Sequence, residues 1–177
     1  MNLANKISFL RILFIPIFLF FMYSDTEYGK YIGLGIFIVA SLTDMLDGYI
    51  ARKYNMITKL GKFLDPLADK ILVLSAMIVF VENGALTSWV VIVIIFREFA
   101  ITGFRIMAAA DNVVIAASAW GKWKTVSHMA MVVILFFDLN SLNYIKDIFI
   151  YLAVILTLIS GFDYVWKNKQ IILNSQF

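Results

Sequence analysis

The chain has no cysteine, one histidine and two prolines, and its longest stretch free of Asp, Glu, Lys and Arg is the 15 residues from Ile148 to Phe162. Without cysteine there are no disulfides and no thiolate chemistry, and nothing firm follows about compartment. No internal repeat, low-complexity tract or nucleic-acid signature is present, and no break is long enough to hide a second domain, so residues 1–177 read as one domain. No small-residue cleavage site follows the apolar start, since Tyr23-Ser24-Asp25-Thr26 is a poor match to a signal peptide. Charge is scarce too, at 15% of residues.

What fills the chain instead is apolar. Hydrophobic residues make up 62%, aromatic residues 16%, and the mean hydropathy is +0.88. A soluble domain of this length could not bury so much apolar side chain, which points to a membrane protein. A plain spanning helix needs about 18 uncharged residues or more, so the spans here have to include charges.

Six stretches are then long enough to cross the hydrocarbon with some tilt, near 8–23, 31–52, 66–81, 88–109, 119–138 and 145–166. The expected fold is an all-α, polytopic protein of six transmembrane helices, preceded by a short interfacial segment over about residues 2–10. Polar and turn residues separate the spans, as at Ser24 to Glu27, Asn55 to Lys59, Glu82-Asn83-Gly84, Asp111-Asn112 and Asn140 to Asn143. Of the 15 Lys and Arg residues, only Lys30 and Lys146 fall at the end away from the termini. The positive-inside rule therefore places both termini in the cytoplasm. Trp89, Trp120, Trp123 and Trp166 sit at span ends, as an interfacial belt requires. A pI near 9.1 suits contact with anionic lipid, and the same bias in loop charge accounts for it equally.

Within this apolar sequence stand four aspartates, in Asp44-Met-Leu-Asp47-Gly48-Tyr-Ile-Ala51-Arg52, eight residues, then Gly61-Lys-Phe-Leu-Asp65-Pro-Leu-Ala-Asp69. A carboxylate at the bilayer centre costs roughly 2.5–3.5 kcal/mol, so four uncompensated ones would cost about 10–14 kcal/mol. On a helix Asp44 and Asp47 lie about 60° apart, with Gly48, Ala51 and Arg52 on or near the same face. Asp65 and Asp69, four apart, share a face of the next helix, which a short turn would bring against the first. Four carboxylates then converge on one or two hard cations, Mg²⁺ or Mn²⁺. Gly48 and Gly61 leave the backbone open to a diphosphate or base, Ala51 leaves space beside the metals, and Arg52 can pair a phosphate bidentately. Pro66 fits the first turn of helix three. The competing structural reading has these acids in interhelical ion pairs with Arg52, Lys62 and Lys70.

Asp-x-x-Asp-Gly-x-x-Ala-Arg, eight residues, Gly-x-x-x-Asp-x-x-x-Asp resembles the signature of the CDP-alcohol phosphotransferase family at every fixed position. The resemblance implies a six-helix membrane enzyme, generally homodimeric, with a cytoplasm-facing cavity open to lipid. It implies two divalent ions on Asp44, Asp47, Asp65 and Asp69, with Asp69 doubling as general base, and a CDP site at Gly48, Ala51, Arg52 and Gly61. Further segments are similar to those of the family's bacterial phosphatidylglycerophosphate synthase branch: Asn5 to Arg11, the run ending at Lys70, Arg97-Glu98-Phe-Ala-Ile-Thr102-Gly103-Phe-Arg105, and Gly121-Lys122-Trp-Lys124-Thr125. Ala4 departs from that branch, where proline is frequent. That likeness implies CDP-diacylglycerol and sn-glycerol 3-phosphate as substrates and a bacterial cell membrane as location.

Apart from any family, Arg97, Arg105, Lys122 and Lys124 lie on the motif's side of the membrane, where buried cations need anions. Arg97 and Arg105, eight apart, stand about 80° around one helix and can flank an acceptor phosphate with Lys122 or Lys124. Alternatively Arg97 pairs with Glu98 or another acid and the lysines reach out to headgroups. Asp138 reads as interfacial and Asp163 as the partner of a site cation. His128, one turn from Lys124, is either a hydrogen-bonded packing residue or a group reaching the cavity. The reaction expected is metal-assisted transfer of a phosphatidyl group with release of CMP. A relative using another acceptor stays open: phosphatidylglycerol in a cardiolipin synthase, inositol phosphate in a phosphatidylinositol phosphate synthase, or serine. A cation transporter built on intramembrane carboxylates is the remote alternative, and it lacks the repeat symmetry such proteins often carry.

Overall fold

The computed structural model describes the backbone of residues 3–53, 59–110, 115, 118–137 and 143–169, and side chains over 11–43, 68, 70–108, 115, 118–137 and 143–169. These residues form six helices and no strand: α1 Leu3–Met22, α2 Gly29–Lys53, α3 Lys59–Glu82, α4 Ser88–Ala110, α5 Ala119–Phe136 and α6 Asn143–Lys167. The chain divides into two compact units, Met1–Asn83 and Gly84–Phe177, each of three helices.

In the first unit α1 packs against both α2 and α3. Its inner face carries Arg11, Ile15 and Phe18, one turn apart or nearly so, and Phe18 meets Phe37 of α2 with ring centroids 6.4 Å apart. α3 contributes Ala68, Leu72, Ala76 and Phe80, all buried at helical spacing. Glycine sets how closely α1 and α2 approach. A Cβ on Gly29 would lie 2.6 Å from the Phe21 carbonyl oxygen and 2.7 Å from Ser24 Oγ, whereas one on Gly35 would meet nothing within 4 Å. The far ends of α1 and α3 are tied by Tyr23, whose hydroxyl donates to Glu82 Oε2 at 2.6 Å. That bond to the carboxylate keeps the phenol protonated to higher pH than usual.

The second unit begins at Gly84, whose φ of +71° is a left-handed conformation that glycine adopts without strain. α6 packs against α5 and α4. Ser118 caps α5, its Oγ accepting from Gly121 N at 3.2 Å and so satisfying one of the free amides of the first turn. The core is apolar along Met131, Val132 and Leu135 of α5 and Ala153 and Val154 of α6. Among the described residues α6 is the one helix long and apolar enough to cross a membrane, and it leaves Tyr151, Ile155, Leu158 and Phe162 exposed. An apolar helix face exposed among the described residues suits a lipid surround.

Three expectations change. The segment expected to stand apart over residues 2–10 belongs, from Leu3, to α1. Helix three starts at Lys59 rather than near 66, so Pro66 lies within the helix instead of its first turn. With no N–H, Pro66 leaves the carbonyl four residues earlier without its usual helical partner. Asp138, Asn55 and Asp111-Asn112 lie outside the described residues.

The glycine contrast is testable by thermal unfolding in detergent. Gly29→Val forces backbone to move and should destabilise by about 1–3 kcal/mol. Gly35→Ala should be neutral or stabilising by up to about 1 kcal/mol, since alanine favours the helix and meets open space. Equal melting temperatures for the two variants would contradict the close approach at Gly29.

Candidate active site

Asp44, Asp47, Gly48, Ala51 and Arg52 all fall in the last ten residues of α2, and Gly61, Asp65 and Asp69 in the first eleven of α3. These are the two ends joined by residues 54–58, and α2 and α3 touch one another. The register is informative. Asp47 lies six residues before the end of α2 and Asp65 six residues after the start of α3, about 9 Å along each axis. Asp44 and Asp69 are nine and ten residues from the same ends, about 14–15 Å along. The motif thus places one carboxylate-bearing position of each helix at each of two matching levels. The side chains of all eight motif residues lie outside the described set.

The donor chemistry fits divalent metal. Four carboxylates, with no cysteine in the chain and its lone histidine at position 128, form an oxygen-only set suited to Mg²⁺ or Mn²⁺. Among the described side chains there is no group of three Asp, Glu or His residues that could hold a metal, so the described part of the chain offers no competing site.

The later cations lie in the second unit. Arg97 and Arg105 stand on α4, and Lys122 and Lys124 on α5. Glu98, buried with 6% of its surface exposed, links two of them: its Oε1 accepts from Arg97 Nη1 at 3.2 Å and from Lys124 Nζ. The pairing of Arg97 with Glu98, one of the two readings of the sequence, is therefore present, and Lys124 is buried beside it rather than reaching to headgroups. Arg97 and Lys169 are the charged parts of the wall of a mostly apolar groove of about 670 Å³ between α4 and α6, lined by Ile92, Phe96, Leu158 and Phe162 among others. Arg105 is exposed and lies over the Tyr164 ring, 5.4 Å from its centroid. Lys122, two residues from Lys124, is about 160° away around α5 and is exposed. The structure thus brings Arg97 and Lys124 together and sets Lys122 apart.

His128 and Asp163 resolve as well. His128 Nε2 and Thr157 Oγ1 are 2.7 Å apart in the α5–α6 interface, and Thr157 donates to the Ala153 carbonyl at 2.6 Å. His128 is thus a hydrogen-bonded packing residue. Asp163 was expected to pair with a site cation, but its partner is Lys167, one turn on, at 2.7 Å. Spacing explains the change: an i,i+4 partner is always within reach, while a partner on another helix requires the right packing. Sequence reasoning passed over Thr157, Ser160 and Tyr164, whose only signal is a polar atom every three or four residues in an apolar helix.

Comparison with known proteins agrees with the motif. Residues 1–159 match the CDP-alcohol phosphatidyltransferase family. The chain is 41% identical to the CDP-diacylglycerol–glycerol-3-phosphate 3-phosphatidyltransferase of Bacillus subtilis, with 98% of each chain covered. It is 36% identical to the protein of that name from Haemophilus influenzae, covering 98% of this chain and 97% of the relative, and 34% identical to the one from Rickettsia bellii, covering 96% of each. The match runs through both helical units and includes every aspartate of the motif, and the chain belongs to the CDP-alcohol phosphatidyltransferase family.

Proposed function

We propose that the chain is a phosphatidylglycerophosphate synthase: it transfers the phosphatidyl group of CDP-diacylglycerol to sn-glycerol 3-phosphate and releases CMP. The observation that carries the reading is the placement of four aspartates at matching levels on the adjoining ends of α2 and α3. Near-full-length likeness to relatives bearing that name supports the choice of substrates. All six helices span the bacterial cell membrane in this reading, with both termini and the site on the cytoplasmic side and the two units serving one catalytic domain in a homodimer.

Asp44, Asp47, Asp65 and Asp69 hold the divalent ions, and Gly48, Ala51, Arg52 and Gly61 receive the CDP moiety. When bound, such ions neutralise the diphosphate and stabilise the leaving CMP. Arg97, Arg105 and Lys124 bind the acceptor's phosphate, with Lys122 at the rim, and so orient its free primary hydroxyl. Asp69 takes the hydroxyl proton. The oxygen bonds to the phosphorus that carries diacylglycerol, and the bond from that phosphorus to the CMP oxygen breaks. The α4–α6 groove offers the apolar walls that an acyl chain needs.

Purified full-length protein in detergent should release CMP from CDP-diacylglycerol only when Mg²⁺ and sn-glycerol 3-phosphate are both present. Release with inositol phosphate or phosphatidylglycerol in its place would move the assignment to another acceptor. Asp69→Asn should retain CDP-diacylglycerol binding and lose at least about 10²-fold in kcat, and a variant that turns over normally would remove Asp69 as base. Arg105→Ala should raise the KM for sn-glycerol 3-phosphate about tenfold with a smaller change in kcat, and an unaltered KM would end its assigned role.

A further inference from the structure

Glu98 has no part in the reaction as described, yet it is the buried anion between two cations assigned to the acceptor's phosphate. A glutamate beside an anion-binding site should repel the anion, so its position needs a reason. We infer that Glu98 is a positioning residue, fixing Arg97 and Lys124 in the arrangement that receives a phosphate monoester. The inference rests on the assignment of those cations to the acceptor.

Donor arithmetic separates positioning from competition. Arginine has five N–H donors and lysine three, and the described bonds to Glu98 Oε1 use one of each. Arg97 Nε is buried without a hydrogen-bond partner among the described residues, so the guanidinium keeps a donor that Glu98 does not use. A phosphate can bind without displacing the carboxylate. Helix α6 braces the same arginine from the other side, because a Cβ on Gly161 would stand 3.4 Å from Arg97 Cγ. The stem thus has one bearing on α6 and the guanidinium another on Glu98.

Charge balance points the same way. Glu98 holds one negative charge between the positive charges of Arg97 and Lys124. Without Glu98, Arg97 and Lys124 would repel one another in a poorly screened interior and drift apart before the acceptor arrives.

The test is steady-state kinetics of the full-length enzyme with Mg²⁺ in detergent, on wild type, Glu98→Gln, Lys124→Ala and the double variant. Glu98→Gln should raise the KM for sn-glycerol 3-phosphate about tenfold, or about 1.4 kcal/mol, while the KM for CDP-diacylglycerol holds. In the Lys124→Ala background the same change should shift that KM less than about twofold, since the pair it acts through is gone. An unchanged or lowered acceptor KM in Glu98→Gln overturns the inference, as does an equal rise for both substrates or a full effect without Lys124. If Glu98→Gln fails to fold, Glu98→Asp decides: its charge is kept but its reach is one methylene shorter, so a several-fold rise supports positioning and a wild-type KM overturns it. Failure of the underlying assignment shows differently, as wild-type CMP release that does not depend on sn-glycerol 3-phosphate.

Discussion

A charge inside an apolar helical bundle has to find an opposite charge, and the internal design of this chain follows from that constraint. In the second unit Glu98 meets part of it, lying between Arg97 and Lys124. In the first unit four aspartates occupy matching levels of α2 and α3. Metal and diphosphate together resolve that balance in the proposed function. In the proposed function the two units answer one electrostatic problem in two ways, one with a fixed carboxylate and one with exchangeable ions and ligand.

The remaining structure keeps those charges in register. Close approach of α1 and α2 at Gly29, the buried small residues Ala68 and Ala76 on α3, and the α5–α6 bond between His128 and Thr157 all fix one helix against another. Interhelical packing of this kind relies on small residues and on polar groups bonded across the interface, because lipid competes for apolar surface as readily as protein does. Exposed apolar side chains such as Phe162 and Leu158 on α6 then need no protein partner.

Much of this was legible in the sequence. The expected spans 88–109 and 119–138 fall close to α4 and α5, because turn residues bracket an apolar run on both sides. The start of α3 was not, since Lys59 and Lys62 look like loop charges although a helix can carry them at a membrane surface. The levels of Asp44, Asp47, Asp65 and Asp69 come from the bounds of α2 and α3 rather than from their spacing. Partners far apart in sequence were the least readable. Glu98 reaches Lys124 across 26 residues and His128 reaches Thr157 across 29, and no periodicity within one helix announces either contact.

Mn²⁺ binding to the full-length protein, followed by electron paramagnetic resonance in the presence of CDP-diacylglycerol, bears most directly on whether carboxylates of α2 and α3 share their ions. Asp47→Asn and Asp65→Asn, one on each helix at the same level, should both weaken binding, by about tenfold or more each. Binding that survives intact in one variant while it is lost in the other, or a protein that takes up no Mn²⁺, would contradict a shared site.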